Sequence, residues 1–272
     1  MYTSLVEVSR SGWEGQIVGI RSTAAVDMPT ILTPLQPSPC GGSGTFLAAD
    51  NSNNRWWIKP LNNLQGARVT VTEAIVGAAG RLIGAPVCET RIVVLPEELR
   101  GWEFRPGSFL EPGLAHASRD VRRVFELRTL QHRVDDDNQR RHAGVFALYD
   151  WCWGGDDQWL YAQSLKNCLF SHDHGWYLPE VGPTWDEASL TRRVDEPHLP
   201  AWPTDGLDQE ELVNLAHRLR NLTTEQLAFT LGSIPNNWPV TDVELECVGW
   251  FLERRSQAVA SRLEVLTNGD GT

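Results

Sequence analysis

Of the 24 basic residues in this chain only two are lysines, Lys59 and Lys166; the others are arginine. An ammonium is a compact point charge suited to phosphate oxygens, whereas a guanidinium is a wide planar fork, so a lone lysine on an apolar stretch invites a chemical reading. Lys59 comes 15 residues after the end of Cys40-Gly41-Gly42-Ser43-Gly44, a loop whose glycines let backbone N–H groups approach anionic oxygens. No Gly-Lys-Ser/Thr follows, so it is not a Walker A loop. Glu73 lies further on, then Gly154-Gly155-Asp156-Asp157-Gln158, and 15 residues later His172-Asp173-His174-Gly175. A glycine loop, a cation, a pair of carboxylates and a separate aspartate are the few parts that phosphoryl transfer requires.

Each part also has an ordinary reading. The glycine loop is equally a hairpin turn. Thr70 with Glu73 fits a capping box at a helix start. Adjacent aspartates beside glycines are commonly a solvated turn. His172 and His174, two apart on a strand, share a face and raise zinc as an alternative, which needs a third ligand. A phosphohydrolase His-Asp pair normally sits on a helix, and the pattern here is strand-like.

The elements that must position these residues follow from periodicity and turn signals. ILTPL, TFLAA and RWWIKP read as strands separated by the glycine loop and by the polar turn Asp50–Asn54, and CETRIVVLP reads as a further strand. VTVTEAIVGAAGRLIGAP has helical spacing at Ile75, Ala78, Ala79, Leu82 and Ile83 and closes at Gly84 before Pro86. A looser stretch from Gly101 leads to ASRDVRRVFELRTLQHR, which reads as an amphipathic helix, and DDDNQRRHAGVFALYDWCW reads as an N-capped helix running into the acidic loop. NCLFSHDHG reads as a short strand ending at Asp173, and the C-terminal third reads as helices. The expectation is an α+β chain with two lobes: residues 1–105 small and β-rich, residues 106–272 mainly helical.

In this order of parts the chain resembles the HipA-like kinases, which are related in fold to the phosphoinositide and protein kinases. RWWIKP, TEAIVGAAGRLIGAPV, LYDWCWGGDDQ and SHDHG carry the resemblance, from about Gly41 to His174. It implies ATP and Mg2+ as cofactors and a Ser/Thr hydroxyl as acceptor, with a two-lobed protein-kinase-like fold. By matching positions, Gly41, Gly42, Ser43 and Gly44 would cover phosphates, Lys59 would hold them and Glu73 would pair with Lys59. Asp156, or Asp157 one register later, would orient the acceptor hydroxyl, and Asp173 would bind magnesium. The family usually places a second metal-ligating Asn five residues after the catalytic aspartate; here Tyr161 or Ala162 stands there, and Gln158 or Asn167 would have to substitute. In some relatives a serine of the glycine loop is phosphorylated, and Ser43 is the one hydroxyl between Gly41 and Gly44.

Composition narrows the classes. A net charge of −11 disfavours nucleic acid as a main partner, since that affinity rests on neutralising phosphates. Five scattered cysteines, never spaced Cys-x-x-Cys, point away from a disulfide framework. No apolar run reaches the ~20 residues of a membrane span, and the first residues lack a signal-peptide pattern, so a cytoplasmic location is expected. The expected partners are ATP, a protein substrate, and a protein partner or antitoxin. Two alternatives stand beside an active kinase: a nucleotide-binding pseudokinase or partner-binding module, and a metal-dependent hydrolase.

Overall fold

The computed structural model describes residues 10, 12–21, 28–38, 42–180 and 184–268. Among the described residues, ten strands and six α-helices are arranged as a β-rich first part and a helical second part. Strands β1 (Ile31–Pro37), β2 (Phe46–Asp50), β3 (Arg55–Lys59), β4 (Thr90–Leu95) and β7 (Gly113–Arg119) form one antiparallel sheet in the order β1-β2-β3-β7-β4. The short hairpin β5 (Glu103–Arg105) and β6 (Ser108–Phe109) sits at this sheet, with Phe104 and Leu110 in its core. Alternation along β3 sorts its side chains by face. Trp56 and Ile58 join Phe46, Ala48, Val93, Ala115 and Phe104 in that core, which leaves Trp57 and Lys59 on the other face.

Helix α1 (Ala67–Ile83) begins at Gly66 and ends at Gly84, whose φ of 70° is the left-handed closure expected from Gly84-Ala85-Pro86. The expected capping box fails, because Thr70 lies a full turn inside the helix. Its hydroxyl is used elsewhere: it lies 3.1 Å from Asn63 Nδ2 and 3.3 Å from the Pro60 carbonyl. Glu73 is likewise committed away from the helix start. The helix is buried around most of its circumference, Val69 to Gly80, and shares a core with the helical part.

Residues 117–133, expected as an amphipathic helix, are instead the end of β7 followed by β8 (Val124–Leu127). Their apolar spacing serves a short strand as well as a helix turn. Val124–Leu127 pairs with β9 (Trp159–Ala162), and Phe125 and Leu127 thereby pack on the buried Trp159 and Tyr161. β7 also runs past the boundary expected at residue 105, since it fills the sheet between β3 and β4. β8, β9 and β10 (Cys168–Ser171) make a second antiparallel sheet in the order β10-β9-β8. Helix α2 (Asn138–Trp151) starts after Asp137, whose side chain makes no capping bond. It runs into the acidic loop as expected, and α3 (Glu187–Arg193), α4 (Gln209–Arg220), α5 (Thr224–Gly232) and α6 (Asp242–Asn268) complete the helical part.

Candidate functional site

Three sequence-distant charges meet where β3, α1 and the end of β10 converge. Lys59 is the last residue of β3 and is 4% exposed, so its ammonium needs partners. Its Nζ donates to Glu73 Oε1 and, at 2.6 Å, to Asp173 Oδ1. Glu73 is delivered by α1, and its second oxygen accepts the backbone N–H of His174 at 3.0 Å. Asp173 lies two residues past the end of β10 and takes a left-handed φ of 52°, a conformation that Asp tolerates better than most residues. This turn caps a short 3-10 helix, His174–Trp176, and aims the carboxylate back at Lys59.

The three groups tune one another. Burial disfavours the Lys59 ammonium, but Glu73 and Asp173 outweigh that and raise its pKa. Burial would raise Asp173 too; the Lys59 charge prevails and holds the carboxylate ionised, far below its ordinary value. Glu73 ends on the other side: burial, with Asp173 adding to it, exceeds the pull of Lys59 and lifts it to about 7. One lysine thus fully ionises one carboxylate and only partly offsets the burial of the second.

The glycine loop reaches the same corner. Phe46 pairs with Ile58, so the residues just before β2 lie beside the Lys59 end of β3. Leu64 N–H donates to the Ser43 carbonyl at 3.1 Å, and a side chain at Gly44, whose φ is 75°, would press into Phe104. Ser43 is 4% exposed, with its hydroxyl 2.8 Å from that of Thr45, so it does not offer a free surface hydroxyl for modification. Gly41 lies outside the described residues.

The acidic loop after α2 is built differently. Gly154 and Gly155 are required by close approach: a Cβ on the first would overlap the Tyr149 ring, and one on the second would overlap the Trp176 carbonyl oxygen. The second contact seats the loop against the turn that carries Asp173. Asp156 accepts from Arg128 Nη1 at 3.4 Å and from the Gln158 carboxamide. Asp157 accepts from the Trp202 indole at 3.3 Å, and the Tyr149 hydroxyl lies close enough to bond to the same carboxylate. Burial raises the Asp157 pKa, with neighbouring Asp156 adding to it against the Trp202 hydrogen bond.

Lys59, Glu73 and Asp173 are therefore in contact, and Asp156 and Gln158 are in contact with each other. Asn167 is not available to the site: its Nδ2 donates to Asp135 at 2.8 Å and its carbonyl accepts from Asn138. His174 turns its ring to the Ser171 hydroxyl at 2.8 Å and His172 turns to Glu126 at 3.5 Å, so the two imidazoles do not converge. Among the described residues no three His, Cys, Asp or Glu side chains gather as a metal cluster. Magnesium held by one or two carboxylates plus phosphate oxygens does not need one.

One neighbour carries no signal in local spacing. His116 stands opposite Lys59 in the β3–β7 register, buried, with Nε2 unpartnered; burial and then the Lys59 charge depress its pKa to about 3 and keep it neutral. His172, which the sequence singles out, lies within electrostatic reach of Asp173, Glu126, Lys59 and Asp156, so the two acidic sites are near one another. His116 is found by strand pairing and cannot be read from the chain order.

A sequence profile described as HipA-like kinase matches residues 31–264. Among solved structures, the Helicobacter pylori proinflammatory kinase CtkA is similar in fold, with a TM-score of 0.53 and 15% identity over 88% of this chain and 99% of that one. No curated protein sequence matches the chain.

Proposed function

The chain belongs to the HipA-like kinase family, and on that premise we propose that it transfers the γ-phosphate of ATP to a hydroxyl, Ser or Thr of a protein. The observation that carries this is the buried Lys59 bound by both Glu73 and Asp173. A lysine held between a helix glutamate and a strand-end aspartate is aimed where α- or β-phosphate oxygens must sit. The division between lobes falls in residues 120–123, after β7 has completed the first sheet.

In this reading Lys59 draws the phosphates into line, and Glu73 fixes the direction of its ammonium. Residues 42–44 would cover the phosphates with backbone N–H groups. Asp173, ionised by Lys59, would hold magnesium, and Gln158 would supply a second oxygen donor with its carboxamide turned. Magnesium would offset charge on the phosphate oxygens. Asp156 accepts the proton of the incoming hydroxyl, since its side chain is 24% exposed and flanked by Arg128, whereas an oxygen of Asp157 is buried.

A second reading, nucleotide binding without turnover, is favoured by one specific observation. Tyr161 stands where the family has its second metal-ligating Asn, and its hydroxyl accepts from Gln131 N–H at 2.9 Å inside the core. As for location, no helix among the described residues is long and apolar enough to cross a membrane; the cytoplasm is our proposal.

Incubation with labelled ATP, magnesium and a cell lysate tests the reading. Transfer of label to protein, lost in Lys59→Arg because the planar fork places its charge differently, is expected. Label transfer unchanged in a folded Lys59→Arg variant contradicts the assignment. ATP binding by the wild type without transfer selects the second reading.

A further inference from the structure

The segment joining α3 to α4 touches the acidic loop at both of its ends. His198 lies flat between two rings, its centroid 5.3 Å from Tyr149 at 10° and 4.3 Å from Trp153 at 15°. Its Nε2 is 2.6 Å from the Gly154 carbonyl oxygen. A carbonyl only accepts, so the ring must donate there. The backbone N–H of His198 donates to Asp150 Oδ1 at 3.2 Å. Asp150 is itself buried and held by Arg255 at 3.1 Å and Arg262 at 2.7 Å, which anchors the arrangement to α6. Four residues on, Trp202 donates to Asp157 Oδ2 and packs edge-on against Tyr149 and Trp159, both with centroids at 4.7 Å.

Gly154 and Asp157 are the two tethered points, and only Gly155 and Asp156 stand between them. Gly155 is backed by the Trp176 carbonyl, as its missing Cβ requires. The carboxylate of Asp156 is left facing Arg128 and Gln158.

We propose that His198 and Trp202 are positioning residues that clamp the acidic loop at Gly154 and Asp157, so that Asp156 is presented to the acceptor hydroxyl and Asp157 serves as the anchor for Trp202. The proposal rests on the reading of Asp156 as the acceptor carboxylate. A purely apolar core role for the two rings would need neither N–H group, whereas here each N–H ends on the loop itself. Positioning of this kind acts on turnover more than on binding, because a loop displaced by an ångström misplaces the proton acceptor.

His198→Phe and Trp202→Phe keep an aromatic ring and remove the N–H. Amide hydrogen exchange of the nucleotide-free protein is the first measurement. Each variant should exchange about tenfold faster over residues 153–159, as a lost anchor frees a local opening, with exchange over β3 and α1 unchanged. Unchanged exchange over 153–159 in both variants overturns the clamp, and so does an equal rise over β3 and α1, which would mark a general loss of packing. Asp157→Ala removes the second anchor from the loop side and should reproduce Trp202→Phe, which keeps the test open if Trp202→Phe does not fold. Turnover follows: kcat should fall about tenfold in each Phe variant with the KM for ATP within about twofold. If Asp156→Asn abolishes turnover while both Phe variants run at the wild-type rate, the clamp is wrong and the acceptor reading stands. If Asp156→Asn keeps full turnover, the acceptor reading falls, and with it the catalytic purpose of the clamp.

Discussion

The Lys59–Glu73–Asp173 cluster and the loop 154–158 are both acidic and lie near one another, yet they are held by opposite means. In the first, side chains hold one another: an ammonium between two carboxylates, with Lys59 and Glu73 buried. In the second, the polypeptide holds the carboxylates, through two glycines in close contact and bonds from a distant aromatic segment. Charge can be removed from the second at little cost to the fold, whereas removing one partner from the first strands the others in a low dielectric. Electrostatic preorganisation and stability are thus one property at Lys59 and separate properties at Asp156.

The largest effect expected is at Lys59. Lys59→Met leaves Glu73 and Asp173 without their cation and should cost about 3–5 kcal/mol of stability, the usual penalty for breaking a buried pair. Asp156→Asn, by contrast, should cost less than about 1 kcal/mol. Denaturant unfolding of both variants checks the pair of values; equal losses would erase the distinction between the two regions. Next comes Gly155→Ala, whose added methyl overlaps the Trp176 carbonyl. It should cost about 1–3 kcal/mol and impair both sites together, since it pries the acidic loop from the Asp173 turn. An effect confined to turnover, with stability intact, would show that the two loops move independently.

Legibility in the sequence follows the same division. The Lys59–Glu73 pairing was readable because a strand and a helix each announce themselves by period, and because lysine is scarce. The β-meander and α1 were readable for the same reason. The strands β7 and β8 were not: in GLAHASR and VFEL the apolar residues are few, small or closely spaced, and only pairing with β3, β4 and β9 decides that they are extended. The Thr70–Glu73 capping box was misleading, as tertiary partners claimed both side chains. His116, His198 and Trp202 could not be found by spacing, because each meets its site across a stretch of chain that carries no periodic signal toward it.

A smaller, pH-dependent effect sharpens the account of the buried cluster. A carboxyl whose pKa in the fold exceeds its unfolded value binds its proton more tightly in the native state, so stability falls as pH rises between the two values. For Glu73 that window runs from its ordinary 4.5 to about 7. Asp173, held below its ordinary 3.8, adds stability that is constant across this window and is lost only in more acid solution. Glu73→Gln, which mimics the protonated form, should therefore be relatively more stable than wild type at pH 7 than at pH 5. The opposite trend in thermal unfolding would mean that Glu73 is ionised throughout. The smallest effect is expected at Arg128, whose side chain is 72% exposed. Arg128→Ala should change stability by less than about 0.5 kcal/mol. A larger change would show that the loop 154–158 is held by charge after all, as the Lys59 cluster is.

The central claim, that Asp173 and Asp156 do different jobs, is tested most directly by thermal-shift titration of Asp173→Asn and Asp156→Asn with magnesium–ATP. The account predicts that Asp173→Asn loses the magnesium-dependent shift, because a neutral amide cannot offset a divalent charge, while Asp156→Asn keeps a shift close to that of the wild type. Equal loss in both variants, or a shift retained by Asp173→Asn and lost by Asp156→Asn, would contradict it.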